Sequence, residues 1–576
     1  MIKIDALSET RGVLTTDTPG RLIEVARGLP GRYRWVQSQL YFEITRNNLE
    51  HLSRELPQAV WTAAAKEHLN RVEATTRMEK EISARKSEDL SLAVRDFPFR
   101  TTPFKHQLHA FALSRDQEYF GLFMEMGTGK SKVLIDTAAH LAITGKIDGV
   151  VVLAPNGVHR QWIKEQIPTH MTDVVPWVGS YYQSGMGGAA LYHLNSQIKM
   201  TNKLRILSMN IEALSHKSGV DFLENWISKI GRILLIVDES SRIGNYSAKR
   251  TKEILKKIGL LADYRRIASG TPISKGVEDL YTQLAFLSPD ILGFSSFYTF
   301  RNFYCRMGGW ENKKIVGYQN LEILTKKLES CTYRVTKEEC LDLPDRTFTS
   351  RLVELTPEQK GIYKDLRKDF LSEVQSGMYV AAPLAITRLI RLRQLLSGHI
   401  TESEEGRVLR IPSNRSKVAR ECIQEAEGKV LVWCMFREDI AMMAEELTEA
   451  GIGFVEYHGG VSSADREKNI TSFREDHDIK VMLSNPQAGG IGLNLVAANV
   501  AIWYSATFSL QDYLQANDRI HRIGQTKNTL YIHLITEGTI EKGIYERLMA
   551  KKNVADTVLD LERMFEDDGE EQMLNE

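Results

Sequence analysis

The sequence predicts an α/β protein with two parallel β-sheets, each covered by helices. Three observations lead there. From about residue 100 onward, short continuous runs of Val, Ile and Leu alternate with longer polar–apolar segments. A continuous apolar run suits a strand buried on both faces, and the segments between read as helices. The runs fall into two groups, one before about residue 290 and one after about 425, so two lobes are expected. Finally, 576 residues with 43% hydrophobic and 26% charged side chains match an ordinary globular composition. That is length for roughly three or four domains with sizeable cores.

Along the chain, residues 1–95 form a small α+β accessory domain. Within it, "GLPGRYRWVQSQLYFEI" (28–44) reads as a turn followed by a strand, and 57–96 as one long charged helix or a helix pair. Residues 96–290 form the first lobe, with strands at "DGVVVLAP" (148–155), "LRILSMN" (204–210) and "RILLIVDE" (232–239). Residues 291–410 are a mostly helical insert. Its aromatic stretch "FSSFYTFRNFYCRMGGW" (294–310) is expected to be the core of the insert, and "TPEQKGIYKDLRKDFLSEVQ" (356–375) a helix. The second lobe, 411–545, has strands at "KVLVWCMF" (429–436), "IKVMLSN" (479–485), "NVAIWYS" (499–505) and "TLYIHLI" (529–535). Residues 546–576 hold a helix and the acidic tail "DLERMFEDDGEEQMLNE" (560–576), expected to be frayed and solvated. Trp162, Trp433 and Trp503 are expected in cores or interfaces.

Lys plus Arg equals Asp plus Glu at 74 each, so no chain-wide basic field exists. A local basic groove remains compatible with that balance. The five cysteines form no CxxC pair and read as reduced, mostly buried thiols. The start "MIKIDALSETRG" lacks a signal peptide's apolar core, and no apolar run is long enough for a bilayer. A cytoplasmic protein with no membrane partner is expected.

The chemistry begins at "FGLFMEMGTGKSKVLIDTAAHLA" (120–142), an apolar segment, then "GTGKS", then a helical pattern. That is the strand–loop–helix context of a phosphate loop. Gly127, Thr128 and Gly129 would turn backbone N–H groups toward phosphate oxygens. Lys130 would place a charge at the β/γ-phosphates, Ser131 would ligate Mg²⁺, and the helix adds its positive end. Met124 stands where the strict pattern has another Gly, so a plain Gly-rich turn remains an alternative at this point. "LLIVDESS" (234–241) then delivers Asp238 and Glu239 at the carboxyl end of an apolar run, the edge where ligands bind parallel sheets. Asp238 would hold Mg²⁺ and Glu239 would orient the attacking water. The two signals together read as a nucleoside triphosphatase. "LQANDRIHRIGQT" (514–526) places Arg519 and Arg522 three apart, on one face if helical. They suit a clamp for the negative charge that develops on a transferring phosphate.

Further motifs follow in order: "LAPNGVHRQW" (153–162), "VDESSRIGN" (237–245), "ASGTPISKGVEDLY" (268–281), "YRVTKEECLDLP" (333–344), "LIRLRQLLSGHI" (389–400), "YHGGVSSADREKNITSFR" (457–474), "SNPQAGGIGLNL" (484–495) and "QANDRIHRIGQT" (515–526). With "EMGTGKS" (125–131), they make residues 100–545 resemble helicase superfamily two, specifically its Swi/Snf-type DNA translocases. The resemblance implies two RecA-like lobes and a DNA-dependent ATPase using ATP and Mg²⁺. Gln107 in "PFKHQ" would read the adenine edge, and Gln515 and Gly492 would join the nucleotide site. The loops at 154–161, 208–212, 269–272, 458–460 and 485–494 would face a nucleic-acid backbone. Their contacts would be Asn156, Arg160, Asn210, Thr271, His458, Gly459, Gly490 and Asn494. Backbone N–H groups and hydroxyls suffice for phosphate tracking without sequence readout, so a neutral chain can still hold DNA. Two departures stand out. Met124 replaces the family's usual Asp, and Ser240 and Ser241 replace its Ala-His. The usual His helps to link hydrolysis to the sheet beneath the DNA, so the link must be made differently here.

Residues 26–56 resemble the substrate-recognition module of annealing and fork-remodelling translocases, through Pro30, Gly31, Arg32, Tyr33, Trp35 and Tyr41. Arg32 and Tyr33 would grip a phosphate and stack on a base. A small sheet packing its own aromatics is the equal alternative. Lys249, Arg250, Lys252, Lys256 and Lys257 read as a solvated helix face. The expectation is an ATP-driven translocase on double-stranded, forked or branched DNA. It would act in branch migration, fork reversal or strand annealing, as a bacterial or bacteriophage monomer. A protein partner could dock on the acidic tail or on residues 1–95. The alternatives are a strand-separating helicase on DNA or RNA, or a motor for a separate nuclease or partner.

Overall fold

The structure is a computed structural model that describes residues 2–8, 11–16, 25, 29, 33–36, 39–85, 90, 92–156, 158–183, 185–308, 314–375, 382–401, 407–489 and 495–559. The chain divides into two compact units, Met1–Cys340 together with the chain from Val554, and Leu341–Asn553.

The amino-terminal part of the first unit is a five-stranded sheet. Its strands are β1 (Ile2–Ser8), β2 (Arg11–Thr16), β3 (Tyr33–Val36), β4 (Gln39–Glu43) and β5 (Val60–Trp61), in the order β3-β4-β2-β1-β5. Ile4, Leu14, Leu40 and Phe42 pack with Leu49, Leu52 and Val72 from the helices Arg46–Glu55 and Ala63–Arg85. The single strand expected over 28–44 is an antiparallel pair, Tyr33–Val36 with Gln39–Glu43. The helical stretch is one helix, Ala63–Arg85, followed by a short 3₁₀ turn at Leu92–Val94.

The first lobe carries β6 (Tyr119–Met124), β7 (Gly149–Ala154), β8 (Trp177–Tyr182), β9 (Leu204–Asn210), β10 (Ile233–Asp238) and β11 (Tyr264–Ala268). A hairpin, β12 (Cys305–Gly308) and β13 (Lys314–Tyr318), and then β14 (Thr332–Val335) follow. The main sheet runs β14-β6-β11-β10-β7-β9-β8 and is parallel throughout. Alternate residues of its central strands feed cores on opposite faces. Val151, Leu153, Leu235 and Val237 lie on one side; Val150, Val152, Leu234 and Ile236 lie on the other. Each fully buried side chain of this kind contributes about 1.5–3 kcal/mol.

The second unit carries β15 (Arg346–Leu352), β16 (His399–Thr401), β17 (Val408–Arg410), β18 (Lys429–Trp433), β19 (Gly453–Tyr457), β20 (Ile479–Ser484), β21 (Ala498–Trp503) and β22 (Thr529–Ile535). Its parallel sheet runs β15-β22-β21-β18-β20-β19. The same alternation recurs, with Val430, Val432 and Ile502 on one face and Leu431, Trp433 and Trp503 on the other. Two parallel-sheet lobes are therefore the fold, as the apolar runs indicated.

The stretch 291–410 is less purely helical than expected. It contributes β14 to the first sheet and β15 to the second, and the boundary between units falls between them. Its aromatics are not a separate core: Phe294, Phe300 and Tyr304 join the core that also holds Leu284 and Leu287 of the first lobe. Trp162, Trp433 and Trp503 are buried, and all five cysteines are free thiols. Among the described residues, no helix is long and apolar enough to cross a membrane. The acidic tail at 560–576 lies outside the described residues.

Candidate nucleotide site

A sheet that is parallel throughout brings all its carboxyl ends to one edge. At that edge of the first lobe, β6 delivers the phosphate loop, β10 the acidic pair, and β7, β9 and β11 the residues 155–156, 210 and 269–272. The loop turns on Gly127 and Gly129, whose φ angles are +81° and +91°. Gly129 caps the helix Lys130–Ile143. A Cβ at Gly129 would displace the end of the Gln107 side chain, and the left-handed backbone would strain any side chain there. Met124 closes β6 with its side chain in the core and only its carbonyl turned to the loop. The departure at this position thus leaves the loop's backbone intact.

The loop is braced from several sides. Lys130 Nζ donates to Met124 O (2.9 Å) and Glu125 O (3.3 Å). Thr128 O accepts from Gln107 Nε2 at 3.0 Å and faces His106 Nε2 at 2.8 Å. A carbonyl can only accept, so His106 carries its proton on Nε2. Burial pushes the His106 imidazole below its ordinary pKa despite that bond, which favours the neutral ring. Gln107 Oε1 in turn accepts from Phe104 N. Glu125 N donates to Val335 O, and Glu125 Oε2 accepts from Lys337 N at 2.8 Å, which ties the loop to β14. Ser131 sits in the first turn of the helix, beside Lys130.

Asp238 ends β10. Its Oδ2 accepts from Trp162 Nε1 (2.8 Å) and its Oδ1 from Glu239 N (3.1 Å). Burial pushes this carboxyl above the usual range, while the Trp162 indole and the Lys130 ammonium pull it back. Glu239 has φ +53° and ψ +57°, a left-handed conformation that only Asn320 shares among the described non-glycine residues. Such a conformation persists only where the surroundings enforce it.

The residues expected along DNA divide into open and enclosed ones. Asn156 is exposed. Arg160 donates to Gln183 Oε1 at 2.6 Å and lies 5.7 Å from the Tyr181 ring centroid. Asn210 ends β9 and is half-buried. Thr271 is buried, its N–H donating to Ser269 Oγ. Gly270 passes so close to Met126 N that an added Cβ would stand 3.0 Å away, so the 269–272 loop lies against the phosphate loop. Arg34 is exposed on β3, and Arg32 lies outside the described residues, as does the side chain of Tyr33. Lys249, Arg250, Lys252 and Lys256 fall on the helix Lys249–Lys256, and Lys257 closes it.

In the second unit, the helix Leu510–Asn517 carries buried Gln515 and ends before the two arginines. Arg519 and Arg522 lie in the turns that follow, so helical spacing does not relate them, and this corrects the premise of a shared helix face. The surrounding polar residues shape that turn. Gln525 Nε2 donates to Val496 O, Ala498 O and Ile520 O, and His521 Nε2 faces Pro344 O at 2.8 Å. Gly524 has φ +99°. Burial lowers Arg522 below its ordinary value, with Asp518 opposing. His458 Nδ1 accepts from Gly460 N, so its Nε2–H is directed at Glu456 Oε2, 2.9 Å away; Gly459 beside it is open on its Cβ side. Gly490, Gly492 and Asn494 lie outside the described residues.

The first-lobe edge fits a nucleoside triphosphate with Mg²⁺. Lys130 and two left-handed glycines suit phosphates, while the Ser131 hydroxyl and the Asp238 carboxylate are hard oxygen donors. Among the described residues, no three His, Cys, Asp or Glu side chains gather as a metal cage. Mg²⁺ commonly takes one or two protein ligands and completes its shell with phosphates and water.

Residues 105–400, about half the chain, match the SNF2-related domain, and 414–524 match the helicase conserved C-terminal domain. The chain belongs to the SNF2-related family. Among the SNF2-related chain's relatives, an "Uncharacterized ATP-dependent helicase" of Mycoplasma pneumoniae is 28% identical over 381 residues, covering 65% of this chain and 35% of that protein. A "Probable chromatin-remodeling complex ATPase chain" of Oryza sativa subsp. japonica is 25% identical over 464 residues, covering 77% of this chain and 39% of that protein. The chain thus spans little more than a third of the length of these relatives. The solved "Sulfolobus solfataricus SWI2/SNF2 ATPase core in complex with dsDNA" is 23% identical and covers 80% of this chain and 94% of its own, with a TM-score of 0.36.

Three site residues of this SNF2-related chain escaped the sequence reading. His106 and Glu125 brace the phosphate loop, and Trp162, expected only to pack, also holds Asp238. For Trp162 a signal did exist: a buried indole N–H must find an acceptor. For the other two, no pattern in the sequence announces which backbone atom they will meet.

Proposed function

We propose that this SNF2-related chain is a DNA-dependent ATPase that converts hydrolysis into movement along double-stranded DNA. The observation that carries the proposal is the placing of Lys130, Asp238 and Glu239 at one edge of one parallel sheet. Lys130 would meet the β/γ-phosphates, and Gln107 the adenine. Ser131 and Asp238 would hold Mg²⁺, which supplies charge neutralisation on the phosphates when bound. Glu239 would orient the attacking water, and Arg519 and Arg522 would stabilise the charge of the transferring phosphoryl group. Gln515 and Gly492 belong to the same site in this proposal. Asn156, Arg160, Asn210, Thr271, His458, Gly459, Gly490 and Asn494 would track the DNA backbone.

At a finer level, the resemblance of residues 26–56 to fork-remodelling modules supports action on forked or branched DNA, with Arg32 and Tyr33 as contacts. Branch migration, fork reversal and strand annealing in replication, recombination or repair are the proposed settings.

The test is steady-state ATP hydrolysis with single strands, blunt duplex, forks, four-way junctions and RNA, with Lys130→Ala as background. Stimulation by duplex, strongest on forks or junctions, supports the proposal. Stimulation only by single strands or RNA replaces it with a strand-separating helicase.

A further inference from the structure

Ser240 follows Glu239 and opens the helical turn Ser240–Ile243. Its hydroxyl donates to Gln283 Oε1 at 2.7 Å, and both residues are completely buried. Gln283 sits on the helix Asp279–Leu287, and its Nε2 donates to Pro272 O (2.7 Å) and Asp279 O (3.0 Å). Two carbonyls facing Nε2 determine the orientation of the amide, because the reversed amide would set oxygen against oxygen. The Oε1 atom therefore has to point at Ser240.

This places one side-chain bridge between the acidic pair and the Gly-Thr-Pro segment. Both ends of the bridge are stiff. On one side, Asp279 Oδ2 collects Ser274 N, Ser274 Oγ and Lys275 N at 2.8–3.0 Å, closing the loop that follows Pro272. On the other, Glu239 is held in a left-handed conformation, so the aim of its carboxylate depends on how its neighbours are restrained. A displacement of the 269–272 loop would then reach Ser240 through Gln283, which bonds to both.

We propose that Ser240 and Gln283 are positioning residues whose hydrogen-bonded pair ties Glu239 to the 269–272 loop, so that nucleic acid gripped at that loop sets the carboxylate that orients water. This inference rests on the DNA-dependent ATPase reading.

The test uses the full chain as wild type, Ser240→Ala, Gln283→Leu and the double variant. Basal turnover, the KM for ATP, stimulation by saturating blunt duplex and the melting temperature are measured for each. Basal turnover and KM are expected to stay within about two-fold, while stimulation falls about ten-fold in either single variant. The double variant falls no further, because both substitutions cut one link. Gln283→Met, which keeps length without the amide, replaces Gln283→Leu if the latter does not fold. A duplex-stimulated wild type with equally stimulated variants, or single effects that add, overturns the bridge alone. A wild type that no nucleic acid stimulates overturns the functional reading and the bridge together.

Discussion

Gly129 has neither the backbone freedom nor the room for a side chain. Its φ of +91° and the clash that an added Cβ would make with the end of the Gln107 side chain are independent obstacles. Gly129→Ala is expected to cost about 1–3 kcal/mol and to weaken binding of an ATP analogue at least ten-fold, read by fluorescence titration and melting. Adding Gln107→Ala relieves the clash but not the dihedral, and it also removes the brace on Thr128 O and the proposed adenine contact, so analogue binding is not expected to recover. Trp162→Phe keeps most of the packing and removes the donor to Asp238. A hydrogen bond to a charged group contributes about 1.5–3 kcal/mol, so the Mg²⁺ concentration for half-maximal hydrolysis should rise roughly ten-fold. The sign of the pH effect follows as well. The Asp238 carboxyl is already raised by burial, and losing the indole raises it further. The acidic limb of the activity profile therefore moves to higher pH in Trp162→Phe.

The helix after the phosphate loop carries a buried ion pair, Lys132 with Asp136 at 2.8 Å. Burial pushes Asp136 up to about 6 in spite of Lys132. A carboxyl raised above its unfolded value binds its proton more tightly in the folded state. Its contribution is thus complete below about pH 4 and is lost as pH rises through about 6, on the order of 3 kcal/mol in all. Thermal melts from pH 5 to 7.5 should fall more steeply for wild type than for Asp136→Asn; parallel slopes would refute this. Elements also show what the sequence could reveal. Central strands such as β7 and β10 were legible because both sheet faces are covered, leaving unbroken apolar runs. β15 (RTFTSRL) was not, because an exposed edge strand needs no such run, and β14 (TYRV) is too short to register. The helix that would have put Arg519 and Arg522 on one face stops at Asn517. Asn517 Oδ1 accepts from Trp503 Nε1 and Asn517 O from Tyr531 Oη, tertiary partners that local periodicity cannot display. The phosphate loop and acidic pair were legible because their residue types and spacing are demanded by phosphate chemistry itself.

At the scale of the whole molecule, Lys and Arg balance Asp and Glu, so the full chain has no net charge with which to attract DNA from a distance. The proposed contacts, through N–H groups, hydroxyls and a few arginines, would release few counterions. A plot of log K against log salt for blunt duplex should therefore have a slope no steeper than about −4, measured by anisotropy between roughly 50 and 200 mM salt. A steeper slope would reveal a basic groove that the proposed contacts omit. One further consequence lies in β14, which pairs with β6 and through Val335 and Lys337 supports Glu125 of the phosphate loop. Roughly 60 residues separate it from β11, the last strand before it in this sheet. At a ribosome adding about 5–20 residues per second, the nascent sheet waits several seconds with the edge of β6 unpaired. A gene fragment stopped at codon 290 would encode every group proposed for catalysis in the first lobe and still yield a sheet with a sticky border, prone to clump before it could bind a nucleotide.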